Sequence, residues 1–299
     1  MKKLDLRFRQ LQNQLLSEKN SEKAEQVIVY IAIVSFLIHL AIIAVVDYNF
    51  LNLGAFQELT INPISALYTP FSIILIYEVY LLVFYLPKSI TNYIGKQYEI
   101  ITLILIRKIF YDLSNLEFSE NWFSIQGDLQ FTIDILATLV LFILIYFFYK
   151  IDQKNKSKKT SLSLKTERHI KVKRFFASIL IPIIIGLAIY SLSNWVYNTG
   201  LNPEAVGTSL KSLNSIFFDD FFTVLILTDV LLLLFSFLQT NQFSRVIRNS
   251  GFIISTVLLK ISFSADGILN TILIVVAVSF GVLILLIYNK FNQLEASTR

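Results

Sequence analysis

The chain has 299 residues, 55% of them hydrophobic and 16% charged, with a mean hydropathy of +0.64 and a formal net charge of +5. That balance leaves too little polar surface for a water-soluble globule and no room for a separate soluble domain beside the apolar stretches. Zero cysteines exclude disulfides, thiolate metal sites and thiol nucleophiles together.

Residues 1–26 form a charged arm. In it Leu4, Phe8, Leu11 and Leu15 line one helix face while Lys2, Lys3, Arg7 and Arg9 crowd the start, which predicts an interfacial helix. The same signature suits a helix that docks on a membrane-protein partner or on a second copy of the chain. Eight apolar stretches follow, at 27–46, 66–86, 98–114, 131–149, 175–196, 216–238, 249–264 and 268–289. Each is near the ~20 residues that an α-helix needs to cross a bilayer. A β-barrel is excluded, because runs such as Leu231-Leu232-Leu233-Leu234-Phe235 do not alternate apolar with polar. The first stretch starts behind the arm without a small-residue cleavage site, so it reads as a retained signal anchor.

Loop charge orients the spans. Apart from Arg107, Lys108, Lys211 and Lys260, every Lys and Arg falls in the arm, the second, fourth and sixth loops or the tail. This positive-inside pattern puts both termini in the cytoplasm of a multi-pass cell-membrane protein. The opposite face is acidic through Asp47, Glu58, Asp112, Glu117, Glu120, Asp128, Glu204 and Asp266. The densest basic run, Lys150 to Arg174, makes 151–174 a cytoplasmic linker at the inner leaflet, where each cation gains about 1 kcal/mol from anionic lipid. Basic residues held in short tethers make no nucleic-acid face.

The linker divides two similar halves, 27–150 and 175–299. Leu40-Ala41-Ile42 and Tyr48-Asn49 of the first correspond to Leu187-Ala188-Ile189 and Tyr197-Asn198 of the second. Glu78 corresponds to Asp229, and Arg107-Lys108 to Lys260. An even number of spans per half gives parallel repeats. The expected fold is therefore all-α: a polytopic integral membrane protein with eight transmembrane helices in two parallel four-helix bundle repeats.

Charges inside spans each cost at least ~2.5–3.5 kcal/mol, so they need partners. Counting residues from the inner face places Glu78 level with Arg107 and Asp229 level with Lys260, which predicts two buried acid–base pairs. Lys108 is expected to turn toward Asp112 or Asp134, and His39, with Ser35 one turn below it, to approach Glu78 and Arg107. Such pairs either fix helix register or line an ion or proton path. Arg107-Lys108 are adjacent rather than spaced every third residue, so they do not make a voltage sensor.

Residues 217 to 290 carry an apolar span with a central acid at Asp229 and the basic turn Phe243-Ser244-Arg245-Val246-Ile247-Arg248. A span with a central base in Val257-Leu258-Leu259-Lys260-Ile261, then Asp266 and a long last span, complete the series. The series resembles the phosphate-starvation-inducible PsiE family of small bacterial four-span membrane proteins. The first half, with Leu75-Ile76-Tyr77-Glu78 and Leu105-Ile106-Arg107, resembles it as a second copy. The resemblance implies a bacterial cytoplasmic-membrane protein linked to phosphate or envelope stress.

Enzyme marks are missing. There is no HExxH, GxSxG or phosphate loop, and only two histidines, His39 and His169. In Phe217-Phe218-Asp219-Asp220-Phe221-Phe222 the two Asp diverge without a third ligand and suit a helix start at the outer interface. The expectation is a non-enzymatic protein without metal or cofactor that permeates ions or small solutes or regulates their permeation. The alternative is a non-conducting scaffold or accessory subunit.

Overall fold

The computed structural model describes residues 17–47, 66, 68–113, 116, 126–156, 164–201, 221, 223–235 and 242–297. These residues form eight α-helices and no strand: α1 Glu18–Asp47, α2 Tyr68–Tyr85, α3 Ile90–Leu113, α4 Gln126–Lys156, α5 Leu164–Leu201, α6 Thr223–Phe235, α7 Phe243–Phe263 and α8 Gly267–Ser297. The protein is all-helical, and the eight apolar stretches fall on the eight helices in order. Four segments, Glu18–Val46, Gly127–Gln153, Phe243–Phe263 and Gly267–Leu294, are long and apolar enough to cross a membrane, and α6 is a shorter apolar helix. The arm's Leu4, Phe8, Leu11 and Leu15, the Asp219-Asp220 pair, Tyr48-Asn49 and the acidic Glu58, Glu117, Glu120 and Glu204 lie outside the described residues.

Two sequence boundaries shift. Helix α1 starts at Glu18, inside the expected arm, and most of the expected linker is helical, since α4 runs on to Lys156 and α5 begins at Leu164. More than half of the residues that prolong these helices are Lys, Arg, Glu or Gln. Such straight-chain side chains favour helix, so the backbone ladder continues beyond the apolar run.

The helices are patterned inside out. Along α4 the buried positions Asp134, Ala137, Thr138, Leu141, Phe148 and Asp152 recur at helical spacing, while Ile135, Leu136, Leu139, Val140, Phe142, Ile143 and Phe147 are exposed. Helix α7 buries Ser244, Asn249, Ser255, Thr256 and Ser262 along with Phe252, Ile253 and Leu259, and exposes Ile254 and Ile261. In water the exposed apolar positions and the buried polar ones would both be unfavourable. Hydrocarbon rewards them, because polar groups then find partners inside and apolar ones face lipid.

The chain forms two compact units, each assembled from several segments. The first comprises Met1–Phe84, Ile106–Phe131 and Ser178–Asp220; the second comprises Tyr85–Leu105, Thr132–Ala177 and Phe221–Arg299. Each unit thus draws on both sequence halves. In the first unit α1 meets α2 through polar contacts: Tyr77 Oη donates to the Ser21 carbonyl at 3.2 Å, and His39 Nδ1 lies 2.6 Å from Thr69 Oγ1.

In the second unit α7 and α8 form an antiparallel hairpin turned over three residues. Ser264 N and Ala265 N donate to the carbonyls of Ile261 and Ser262, and Asn270 Nδ2 donates to Ser262 O at 2.6 Å. Gly267 opens α8 at φ 62°, a left-handed backbone that disfavours a β-carbon. Small residues then admit close neighbours. A β-carbon on Gly251 of α7 would lie 2.7 Å from Ile284 of α8, and one on Gly281 of α8 would lie 1.6 Å from the Tyr98 hydroxyl of α3.

Candidate functional site

The second unit contains a chain of buried polar side chains contributed by α3, α5, α6 and α7. Asp229 is buried in the middle of α6, between exposed Leu227 and exposed Val230 and Leu231. Gln97 of α3, fully buried, donates from Nε2 to Asp229 Oδ2 at 3.3 Å. The amide oxygen of Gln97 accepts from Thr256 Oγ1 of α7 at 2.8 Å, and the same hydroxyl lies 3.1 Å from the Phe252 carbonyl one turn back. The amide is therefore oriented from both ends. With its oxygen engaged by Thr256, its nitrogen faces the carboxylate.

A second contact one residue along sets the register of the first. Tyr98 Oη and Ser255 Oγ are 2.8 Å apart, and Ser255 Oγ donates to the Ala277 carbonyl of α8 at 2.7 Å. The Tyr98 ring stands edge-on to Phe148, with centroids 5.2 Å apart, and Phe148 in turn meets Phe252 at 5.9 Å. Helices α3, α4, α7 and α8 are thus keyed together beside Gln97 and Thr256. Gly281 makes this possible by leaving room for the Tyr98 hydroxyl.

Tyr93 and Lys173 complete the cluster. The Tyr93 hydroxyl is buried close to Asp229 and Gln97, yet no hydrogen bond of normal geometry joins it to either. Burial, with the neighbouring Asp229 charge, pushes its ionisation well above the ordinary phenol range, so it stays protonated. Lys173, near the start of α5, is only 7% exposed and donates from Nζ to the Lys88 carbonyl at 3.2 Å. Burial pushes its ammonium down to about 8; the Asp229 charge opposes that shift and the Arg248 charge adds to it. Arg248 itself clasps Asn249 Oδ1 with Nε and Nη2 at 3.1 and 3.0 Å and stacks 4.5 Å from the Tyr288 ring.

Lys260 was expected opposite Asp229; the groups that act on Asp229 among the described residues are Gln97, Tyr93 and Lys173. Gln97 links Asp229 to Thr256, one turn before Lys260 on α7, or about 6 Å along the axis at 1.5 Å per residue. Lys260 is half-buried on α7.

Asp134 is buried on α4 and accepts a hydrogen bond from Thr271 of α8. Glu78, Arg107, Lys108 and Asp112 all lie in the first unit, with Arg107 buried and the other three half-buried. His39 sits beside Thr69, which lies nine residues before Glu78 on α2 and so about 14 Å from it along the axis.

Gln97, Thr256, Tyr93 and Lys173 were not singled out in the sequence. A search for charges inside apolar runs overlooks an amide or a hydroxyl, and Lys173 is one cation among many in a basic stretch. The available signal was the polar series on one face of α7, Asn249, Thr256 and Lys260, spaced at seven and four residues. No group of three or more metal-ligating side chains occurs among the described residues. The chain matches no protein-family model, no curated protein and no solved structure.

Proposed function

We propose that this protein is a non-enzymatic integral membrane protein that passes a small ion, or regulates its passage, and that the Asp229–Gln97–Thr256 chain with Lys173 is its ion-handling element. One observation carries the reading: a carboxylate buried in a short apolar helix has no cation within ion-pair distance among the described residues, and is held by an amide instead. A group of that kind is costly in hydrocarbon and has no evident value to packing alone, whereas an ion site needs it. In this reading the eight helices all span the cytoplasmic membrane of a bacterium with both termini inside, as the loop charges require. The likeness of the Asp229 and Lys260 spans to the PsiE family suggests a stress-linked setting.

The second reading is a scaffold or accessory subunit, and helix α1 favours it. Tyr30, Ile31, Val34, Leu37 and Ile38 are all more than half exposed, so α1 offers a broad apolar surface to lipid, to another membrane protein or to a second copy. Reconstitution separates the readings. Purified protein in liposomes that moves ions, with flux lost in Asp229→Asn, supports ion handling. A folded, monodisperse protein that moves none favours the scaffold.

A further inference from the structure

The ion-handling reading leaves open which ion Asp229 serves, and the hydrogen-bond chain around it answers. The charged and titratable groups facing the carboxylate are Tyr93 from α3 and Lys173 from α5; Gln97 of α3 faces it with its amide nitrogen, and α7 reaches it only through that amide. With Gln97 Oε1 held by Thr256, the amide presents N–H and Lys173 presents an ammonium, neither of which ligates a cation; only the Tyr93 phenol adds an oxygen to those of the carboxylate. A sodium or potassium ion needs a larger shell of converging oxygen ligands than these two side chains provide.

The chain does suit a proton. With Asp229 ionised, Gln97 Nε2 donates to the carboxylate and Gln97 Oε1 accepts the Thr256 hydroxyl. One hydroxyl has one proton, yet Thr256 Oγ1 lies within reach of two acceptors, Gln97 Oε1 at 2.8 Å and the Phe252 carbonyl at 3.1 Å. The second acceptor permits a reversed pattern. When the carboxylate takes up a proton, its O–H donates to Gln97 Oε1 after the amide turns over in place. The amide nitrogen then donates to Thr256 Oγ1, and the Thr256 hydroxyl donates to Phe252 O. Each member of the chain is satisfied in both states, and the only covalent change is one O–H bond made to the carboxylate with a proton drawn from water.

We infer that Asp229 is a reversible proton-binding site, that the Gln97 amide and Thr256 hydroxyl reverse direction as it loads and unloads, and that the ion handled is the proton rather than an alkali cation. This rests on the ion-handling reading for its consequence in transport, while the site itself is open to direct observation.

Infrared difference spectra of the purified full-length protein, taken across a pH titration, should show a carboxylic-acid carbonyl band that disappears in Asp229→Asn. The band should change frequency in Gln97→Leu and in Thr256→Val, two variants that keep the acid if Asp229→Asn does not fold. In liposomes of phosphatidylethanolamine and phosphatidylglycerol, an internal pH dye should report proton entry that Asp229→Asn abolishes and Thr256→Val slows about tenfold, the equivalent of one lost hydrogen bond. Radioactive sodium and rubidium should not enter. A titrating band without proton flux keeps the proton site and removes the transport reading. Sodium or rubidium flux that depends on Asp229 keeps transport and overturns the proton. A band that is absent, or is untouched by all three substitutions, overturns the inference outright.

Discussion

Gly281→Ala is a severe test of how this unit holds together. The new β-carbon would stand 1.6 Å from the Tyr98 hydroxyl oxygen and 2.7 Å from the adjoining ring carbon, well inside the ~3.5–4.0 Å of normal non-bonded contact. Tyr98 cannot yield cheaply, since it is fully buried and stacked edge-on against the equally buried Phe148. Overpacking of this kind costs about 1–3 kcal/mol. Displacing the hydroxyl also breaks its bond with Ser255, which costs about 1 kcal/mol more. The sum, about 2–4 kcal/mol, should appear as a lower melting temperature of the detergent-solubilised protein. The decisive measurement is the double variant. Tyr98→Phe alone loses the Ser255 bond, but in the Gly281→Ala background it removes the worst clash, so the double variant should lose clearly less than the sum of the two single losses. Because Gln97 and Thr256 are the sequence neighbours of Tyr98 and Ser255, Gly281→Ala should also weaken any Asp229-dependent flux. Strict additivity, or a Gly281→Ala protein as stable as the parent, would refute the close contact between α3 and α8.

Lys173 gives stability a pH dependence. Its folded value of about 8 lies below the ordinary 10.5, so the cost of burying its charge is fully present below pH 8 and is relieved as pH rises toward 10.5. Stability should therefore climb across that window by up to about 3 kcal/mol, and Lys173→Met should flatten the climb; an identical slope in the variant would remove Lys173 as its source. Thr271→Val removes the donor to buried Asp134 and should cost about 1.5–3 kcal/mol in chemical denaturation, whereas a loss near zero would show that bond to be unimportant. Glu78 and Arg107 are proposed to pair in the first unit. On that proposal Glu78→Gln alone should destabilise by about 3–5 kcal/mol and Glu78→Gln with Arg107→Gln by less, so equal or greater loss in the double variant would separate the two residues.

Much of the architecture was legible because hydrocarbon tolerates few solutions. Apolar runs long enough to cross a bilayer must satisfy their own backbone, so the helices and their order could be read from residue types alone. The partner of Asp229 was another matter. Sequence counts depth only to about a turn, roughly 5.4 Å, and says nothing of how each helix is rotated or which neighbour it meets. Within that margin lie both Lys260 and Thr256, and the choice between them was made by packing: Tyr98 seated against Gly281 and bonded to Ser255 brings Gln97 to Thr256 and turns its amide nitrogen to the carboxylate. Lys173 is the same lesson from the other side. Its place in a basic stretch said surface, but its burial depends on helices distant in the chain, which no local pattern records.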